Sequence, residues 1–258
     1  MNDGGGRERL VINFWRVAIT AAFLGLWELS VRWEWIDPFH VSRPVLIGLQ
    51  IGEWVKTGFV FRHLFVTMEE TVFGFTVGTI LGVGVGFLFA FLPRMAKIFE
   101  PLMVLLNALP RVVLGPLFIL WFGLGLLSKV AMAVSLVFFI VFFATYTGLK
   151  EVDKDMVNHV KILGAGRWGL TRHVLLPSAL TWIFSSLRTS VGFALIGAVV
   201  GEYLGASQGM GYVIAFAEAM FNSTGVIAGL IVLMAVVALI DLTLKGLEAR
   251  FSYWKPIS

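Results

Sequence analysis

Residues 158–177 read NHVKILGAGRWGLTRHVLLP. The stretch is polar and basic, is interrupted by Gly164 and Gly166, and lies between two long apolar runs. Gly164 precedes Pro177 by thirteen positions, with Val174 and Leu176 between them. Just upstream, Met156, Val160 and Leu163 fall at i, i+4 and i+7 with Lys154, Asn158 and Lys161 around them. That pattern predicts a short helix over residues 151–163 with one apolar stripe. The two glycines then permit a sharp turn, because glycine tolerates positive φ. Residues 167–175 resume a helical pattern, and Pro177 suits the first turn of the next helix, where its missing N–H costs nothing. A helix–turn–helix lying on a membrane surface can rest such a stripe in the groove of a partner. By spacing alone, an ordinary interfacial connector between two spans reads the same way.

The flanking runs set the fold class. Apolar residues make up 58% of the 258-residue chain and charged residues only 14%, and the mean hydropathy is +0.88. Runs of about 20 apolar residues read as membrane-spanning helices. They are continuous rather than alternating with period two, so helices satisfy their backbone groups in lipid where a barrel would need alternation. Six spans are expected, at residues 14–31, 68–92, 101–122, 129–148, 180–200 and 225–244, in a single domain. No signal peptide is expected, since the first apolar run is long and lacks a small-residue cleavage site.

Lysine and arginine fix the orientation. With the N-terminus inside, thirteen of the twenty fall in inner segments and five in outer ones, while Arg111 and Arg188 lie within spans. This bias places both termini and residues 149–179 in the cytoplasm. Residues 201–224 hold no Lys or Arg and fall outside. The net charge of +4 is therefore a membrane-flank signature and not a nucleic-acid one.

Several features inside the spans carry alternatives. Gly74, Gly78, Gly82 and Gly86 line one helix face and permit close backbone approach, either within the chain or between two copies of it. Residues 101–122 contain Pro101, Pro110 and Pro116, which break regular helix hydrogen bonding, with Asn107 and Arg111 among apolar neighbours. Broken helices at membrane depth are tolerated where they line a cavity, and an ionisable residue there is a pathway candidate. Arg111 fits either a pathway role or a structural partner, a salt bridge or backbone carbonyls. Arg188 fits either snorkelling or pairing with a carboxylate, or contact with substrate. Glu28, Glu202 and Asp241 sit near span ends and read as hydrated or capping residues. Glu218 falls on a short outer helix, 213–220, and Pro44–Lys56 reads as an interfacial helix with Leu46, Leu49 and Trp54 on its apolar face.

No catalytic constellation is visible. The chain has no cysteine, its four histidines lack zinc-ligand spacing, and Lys56–Thr57 follows Val55 rather than a glycine-rich loop. No catalytic or metal-binding residues are expected. A secondary transporter or channel would call for an inverted repeat and more titratable groups at mid-membrane, and a membrane-embedded enzyme for an acid–base cluster at one depth. Neither pattern is legible.

The Gly164 to Pro177 spacing, with Val174-x-Leu176-Pro177 at its end, resembles the cytoplasmic coupling loop of bacterial ABC-importer permeases. Their usual pattern is E-A-A, three residues, Gly, nine residues, Ile-x-Leu-Pro. Asn158, His159 and Val160 stand here in place of E-A-A. PRVVLGPLFILWFGLGLLSK (110–129), GEYLGASQGMGY (201–212) and LEARFSYW (247–254) resemble the same regions of the nitrate, sulfonate and taurine branch. EETVFGF (69–75) is similar to stretches in permeases for pyrimidine- or riboflavin-like compounds, and many anion-type members carry a basic residue where Glu70 stands. The resemblance implies an all-α integral membrane permease with six transmembrane helices and a coupling-helix loop at 150–177, in a bacterial inner membrane. It implies a homodimer, two cytoplasmic ATPase subunits that bind the ATP, an outer substrate-binding protein, surrounding lipid, and no cofactor or nucleic acid on this chain. By the resemblance, the ATPase contacts are Val157, Asn158, His159, Val160, Lys161, Leu163, Gly164, Ala165, Arg167, Trp168 and Pro177. Asn107, Arg111 and Arg188 are the candidate pathway residues.

Overall fold

In the computed structural model, residues 4–152, 154–164 and 166–251 are described, and nothing is said below of the side chains of residues 4–7, 9, 10, 154, 161, 167 and 247–251. Every regular element among the described residues is helical. In chain order these are α1 (Gly4–Arg32), α2 (Pro38–Val41), α3 (Pro44–Lys56), α4 (Phe59–Phe91), α5 (Pro93–Ala108), α6 (Gly115–Phe122), α7 (Leu126–Lys150), α8 (Lys154–Ile162), α9 (Arg167–Leu170), α10 (Leu176–Gly205), α11 (Met210–Ala219) and α12 (Ser223–Phe251). A 3-10 turn at Arg111–Leu114 precedes α6, and a π-helical turn at Thr171–Leu175 leads into α10. Among the described residues five helices are long and apolar enough to cross a membrane, or six if the bent pair α5 and 111–122 is one span.

Two compact units form, residues 1–61 with 213–235 and residues 62–212 with 236–258. In the first, prolines start the short outer helices. Pro38 and Pro44 take the opening turns of α2 and α3, and the Asp37 side chain caps α2 by accepting from the Phe39 N–H at 2.8 Å. Glu28 accepts from the Val45 N–H at 3.2 Å, so it caps α3 as a carboxylate at a helix N-terminus should. Ser42 and Thr224 hydroxyls meet at 2.6 Å, and Phe39 stacks on Phe221 with ring centroids 6.2 Å apart.

The second unit is built around α7. Its small and branched residues Ala133, Val137, Val141 and Thr145 are fully buried. The α4 glycines lie on them. A Cβ at Gly78 would fall 2.7 Å from the Val137 Cβ, and one at Gly86 2.7 Å from the Thr145 Cβ; Gly74 and Gly82 face Ala133 and Val141 in the same way. The four-residue glycine spacing thus serves packing within the chain, with backbones closer than any side chain permits. Helix α10 also packs on α7: a Cβ at Gly201 would lie 3.0 Å from the Lys129 Cα, and Gly197 rests on Ala133. Lower in the unit Phe142 stacks on Tyr146 and meets Phe89 edge-on.

The third predicted span, 101–122, is instead a bend of 91° between α5 and 111–122. Proline at 110 explains its place. It cannot continue α5, and it pushes Leu109 into extended backbone (φ −65°, ψ 132°). Helix α4 begins at Phe59, earlier than the expected 68, and its 33 residues span about 50 Å. That exceeds a hydrocarbon core of about 30 Å.

Candidate functional site

The 150–177 segment folds as a helix, a left-handed turn and a second short helix. Helix α8 ends when the Leu163 N–H donates to the His159 carbonyl at 3.1 Å, and Gly164 then adopts φ +83°. That value lies where L-residues are disfavoured. Helix α9 restarts with the Leu170 N–H on the Gly166 carbonyl at 3.0 Å. Val174 is buried, His173 Nδ1 lies 2.9 Å from the Gly169 carbonyl, and Pro177 sits in the first turn of α10.

The turn presents apolar side chains to the outside. Ile162, Leu163 and Trp168 are 81%, 84% and 76% exposed, and Met156 is half exposed. Val157 and Val160 are half-buried, while Asn158 and His159 are exposed. The stripe of Met156, Val160 and Leu163 is thus only partly outward, and Ile162, which no helical spacing singled out, joins the exposed group. Ala165 lies outside the described residues, as do the side chains of Lys161 and Arg167 and the tail resemblance at 247–254.

At the bend, Arg111 folds back on α5. Its Nη1 donates to the Leu106 carbonyl at 2.5 Å, and its Nη2 donates to the Asn107 carbonyl and Oδ1, each at 3.0 Å. The guanidinium also lies 4.4 Å from the Phe139 ring centroid. Arg111 thereby closes the C-terminal carbonyls that Pro110 leaves open, where a cation is favoured. Asn107 and Arg111 are brought together, and of the two structural partners the carbonyls hold. Arg188 goes elsewhere. Its Nη2 contacts Asp241 Oδ1 at 3.1 Å, and Lys245 shares that carboxylate at 2.5 Å. Asp241 is therefore an ion-pair partner and not merely a helix-end residue.

A third group was not legible. Thr67 and Glu70 of α4, Lys129 of α7 and Glu202 of α10 are almost fully buried in the second unit. The sequence reads Glu202 as hydrated or capping and counts Lys129 as one of the five outer charges. Glu202 does cap, accepting from the Gly211 N–H at 2.7 Å near the start of α11, but it does so out of contact with solvent. No cluster of three or more His, Asp or Glu able to hold a metal is present among the described residues.

Long apolar helices, a bent helix pair and an exposed apolar turn are the architecture of a membrane transport subunit. Residues 74–253 match the family described as the binding-protein-dependent transport system inner membrane component, and the chain belongs to that family. Similar relatives include the formylaminopyrimidine transport permease protein ThiX of Halalkalibacterium halodurans, 32% identical over 89% of this chain and 91% of that one. The riboflavin transport system permease protein RibX of Chloroflexus aurantiacus is 31% identical over 86% and 81%. The taurine transport system permease protein TauC of Escherichia coli is 24% identical over 92% and 88%. Among solved structures, the inward-facing MetNI methionine ABC transporter superposes with a TM-score of 0.63 at 18% identity, covering 73% of this chain and 94% of that one. An amino acid ABC transporter solved with histidines gives 0.63 at 16%, covering 78% and 95%. The fold is that of type I ABC-importer permeases. The chain is the multi-pass inner-membrane permease subunit of an ABC importer, and ATP hydrolysis belongs to a separate subunit. An ATPase and a substrate-binding protein are its implied partners.

Proposed function

We propose that residues 150–177 are the segment through which the ATPase drives this permease. The observation that carries the reading is the exposed apolar turn of Ile162, Leu163 and Trp168 around a left-handed glycine. Such a group is costly to leave in water and fits a hydrophobic groove. Val157, Asn158, His159, Val160, Lys161, Ala165 and Arg167 complete the contact, and Pro177 fixes where α10 begins to transmit it. Two copies of the chain form the transport unit, each a single permease domain set in lipid with both termini in the cytoplasm. Each copy docks on one of two ATPase subunits, which bind the ATP; this chain itself needs no cofactor.

Transport proceeds by alternating access. The binding protein delivers solute at the outer side, ATP closes the ATPase pair, and the loop passes that motion to the spans. Such coupling requires contacts that differ between the two states. The bend at Asn107 and Arg111 lines the pathway, while the ion pair of Arg188 with Asp241 and Lys245 braces α10 against α12. The solute is a small organic anion such as a sulfonate, or a pyrimidine- or riboflavin-like compound, by likeness to the relatives named above. Identifying the ligand that co-purifies with the outer binding protein distinguishes these.

The test is Gly164→Glu. Positive φ is strained for any side chain by about 1–3 kcal/mol, and an unpaired carboxylate in the docking groove adds several more. Uptake should be abolished and ATPase co-purification weakened, while membrane insertion persists. If uptake and co-purification both stay at the parent level, the loop is an ordinary connector.

A further inference from the structure

The buried polar group of the second unit joins four pieces of chain. From the connection after α10, the Gly209 N–H donates to His63 Nδ1 at 3.1 Å and the Met210 N–H donates to Thr67 Oγ1 at 2.9 Å. The Gly211 N–H donates to Glu202 Oε2 at 2.7 Å. The start of α11 is thus held through three consecutive N–H groups, two of which donate to side chains of α4. Glu202 faces Thr67 and Glu70, and Lys129 lies beside both carboxyl groups. Lys129 in turn donates from Nζ to the Leu124 carbonyl, in the turn between α6 and α7.

That turn belongs to the broken span. A Cβ at Gly205 would fall 2.8 Å from Leu124 Cδ2 and 3.0 Å from Ile119 Cδ1. Gly115, at the start of α6, lies against Leu204 and Met132. The outer end of α10 is therefore wedged against α6 on one side and tied through Glu202 to α4 and the 206–211 connection on the other. Two features argue against a simple structural rivet. Glu70 and Glu202 bring two buried carboxyl groups together beside one ammonium, that of Lys129, an unbalanced arrangement, whereas a permanent buried network normally satisfies all its members. The connection it holds is also the one whose Ser207 and Gln208 are exposed.

We propose that Glu70, Lys129 and Glu202, with Thr67 and His63, form a releasable clamp on the 206–211 connection. The clamp holds the outer side of the permease closed and links its opening to movement of the broken span that carries Arg111. Its members are positioning residues that act through the backbone of 209–211. This rests on the outer placement of residues 201–224 and on the alternating-access reading above.

The chain has no cysteine, so Ser207→Cys gives a single reporter. The complex with its ATPase is reconstituted in vesicles of known orientation, and the rate of labelling by a membrane-impermeant maleimide is read with and without ATP plus vanadate. In the parent, the rate at position 207 should rise with nucleotide. Glu202→Gln should raise the nucleotide-free rate roughly five-fold, the weight of one buried hydrogen bond, and shrink the nucleotide-dependent rise. Thr67→Val, which keeps the shape and removes one acceptor, should do the same to about half that extent, and it decides the matter alone if Glu202→Gln fails to assemble. A purely structural cluster would lower assembly without changing the nucleotide dependence. Labelling from the outer side at parent rates in both variants, with an assembled complex, would overturn the clamp alone. Labelling only from the ATPase side would overturn the topology and the clamp with it.

Discussion

Gly164 and Gly209 both adopt the left-handed region at a tight turn, and their surroundings are opposite. Gly164 has φ +83° and a Cβ there would meet nothing within 4 Å; its neighbours Leu163 and Trp168 point away from the chain. Gly209 has φ +102°, and a Cβ there would run into the Glu202 carboxyl. One turn is open and apolar, the other closed and polar. Both use glycine because the chain must reverse within two or three residues, which L side chains resist. The open turn leaves its apolar surface for another molecule. The closed turn spends its N–H groups on the chain's own His63, Thr67 and Glu202. The same backbone conformation therefore exposes an apolar knob at one place and buries a hydrogen-bonded polar turn at the other.

The largest effect expected from this contrast is at Gly209. Gly209→Ala brings left-handed strain of about 1–3 kcal/mol. It also displaces the Glu202 carboxyl from the Gly211 N–H, leaving a buried donor unpaired at about 1–3 kcal/mol more. Uptake should fall by at least roughly ten-fold, and the purified complex should melt at lower temperature. Parent-level uptake and melting together would show that the second turn is not sealed, and the contrast would collapse.

A third bend sharpens the comparison because it uses no left-handed residue. Pro110 ends α5, and Arg111 holds the 91° bend by returning to the Leu106 and Asn107 carbonyls. Hydrogen bonds to a charged donor contribute about 1.5–3 kcal/mol each. Arg111→Gln should lower uptake roughly ten-fold while ATPase co-purification stays unchanged. Arg111→Lys should recover little of it, because an ammonium cannot fork to two carbonyls and lie over the Phe139 ring as a guanidinium does. Loss of the folded permease in Arg111→Gln would make the bend a folding requirement and remove Arg111 from the pathway.

How much of this was legible follows from the physics of each signal. Lipid favours continuous apolar helices, so the long spans stood out, and the glycine turn at 164 was visible because Gly164 and Gly166 interrupt two helical patterns, though spacing alone did not tell a docking loop from a connector. The ends of the spans were less visible. Helix α4 reaches back to Phe59, past the expected start at 68, and His63 and Thr67 of that added stretch are buried inside the chain. The prolines of 101–122 announced an irregular span but not its angle, which depends on Arg111 choosing carbonyls of α5. The clamp carried no sequence signal at all. Glu70, Lys129 and Glu202 stand far apart in the chain, and only the packing of α4 and α10 on α7 brings them together. Charge counting places Lys129 among the outer charges and cannot tell a buried lysine from a solvated one.

The smallest expected effect is at Gly164, and it separates strain from contact. In Gly164→Ala the new Cβ meets nothing within this chain, so the only internal cost is the left-handed strain, about 1–2 kcal/mol. Gly164→Asn should cost less still, because asparagine enters that region more readily than alanine. If the partner needs the turn's shape and not bare backbone, ATPase co-purification should rank parent, then Asn, then Ala, with at most a roughly ten-fold spread, and uptake should follow the same order. The same pair at Gly209 should behave differently, since the obstacle there is the Glu202 carboxyl and asparagine is larger than alanine. Asn rescue at 164 together with no Asn rescue at 209 is the outcome that the two environments demand. Equal and severe losses for Ala and Asn at 164 would mean that the docking partner lies against the glycine itself, so that the open turn is closed by the ATPase much as Glu202 closes the other.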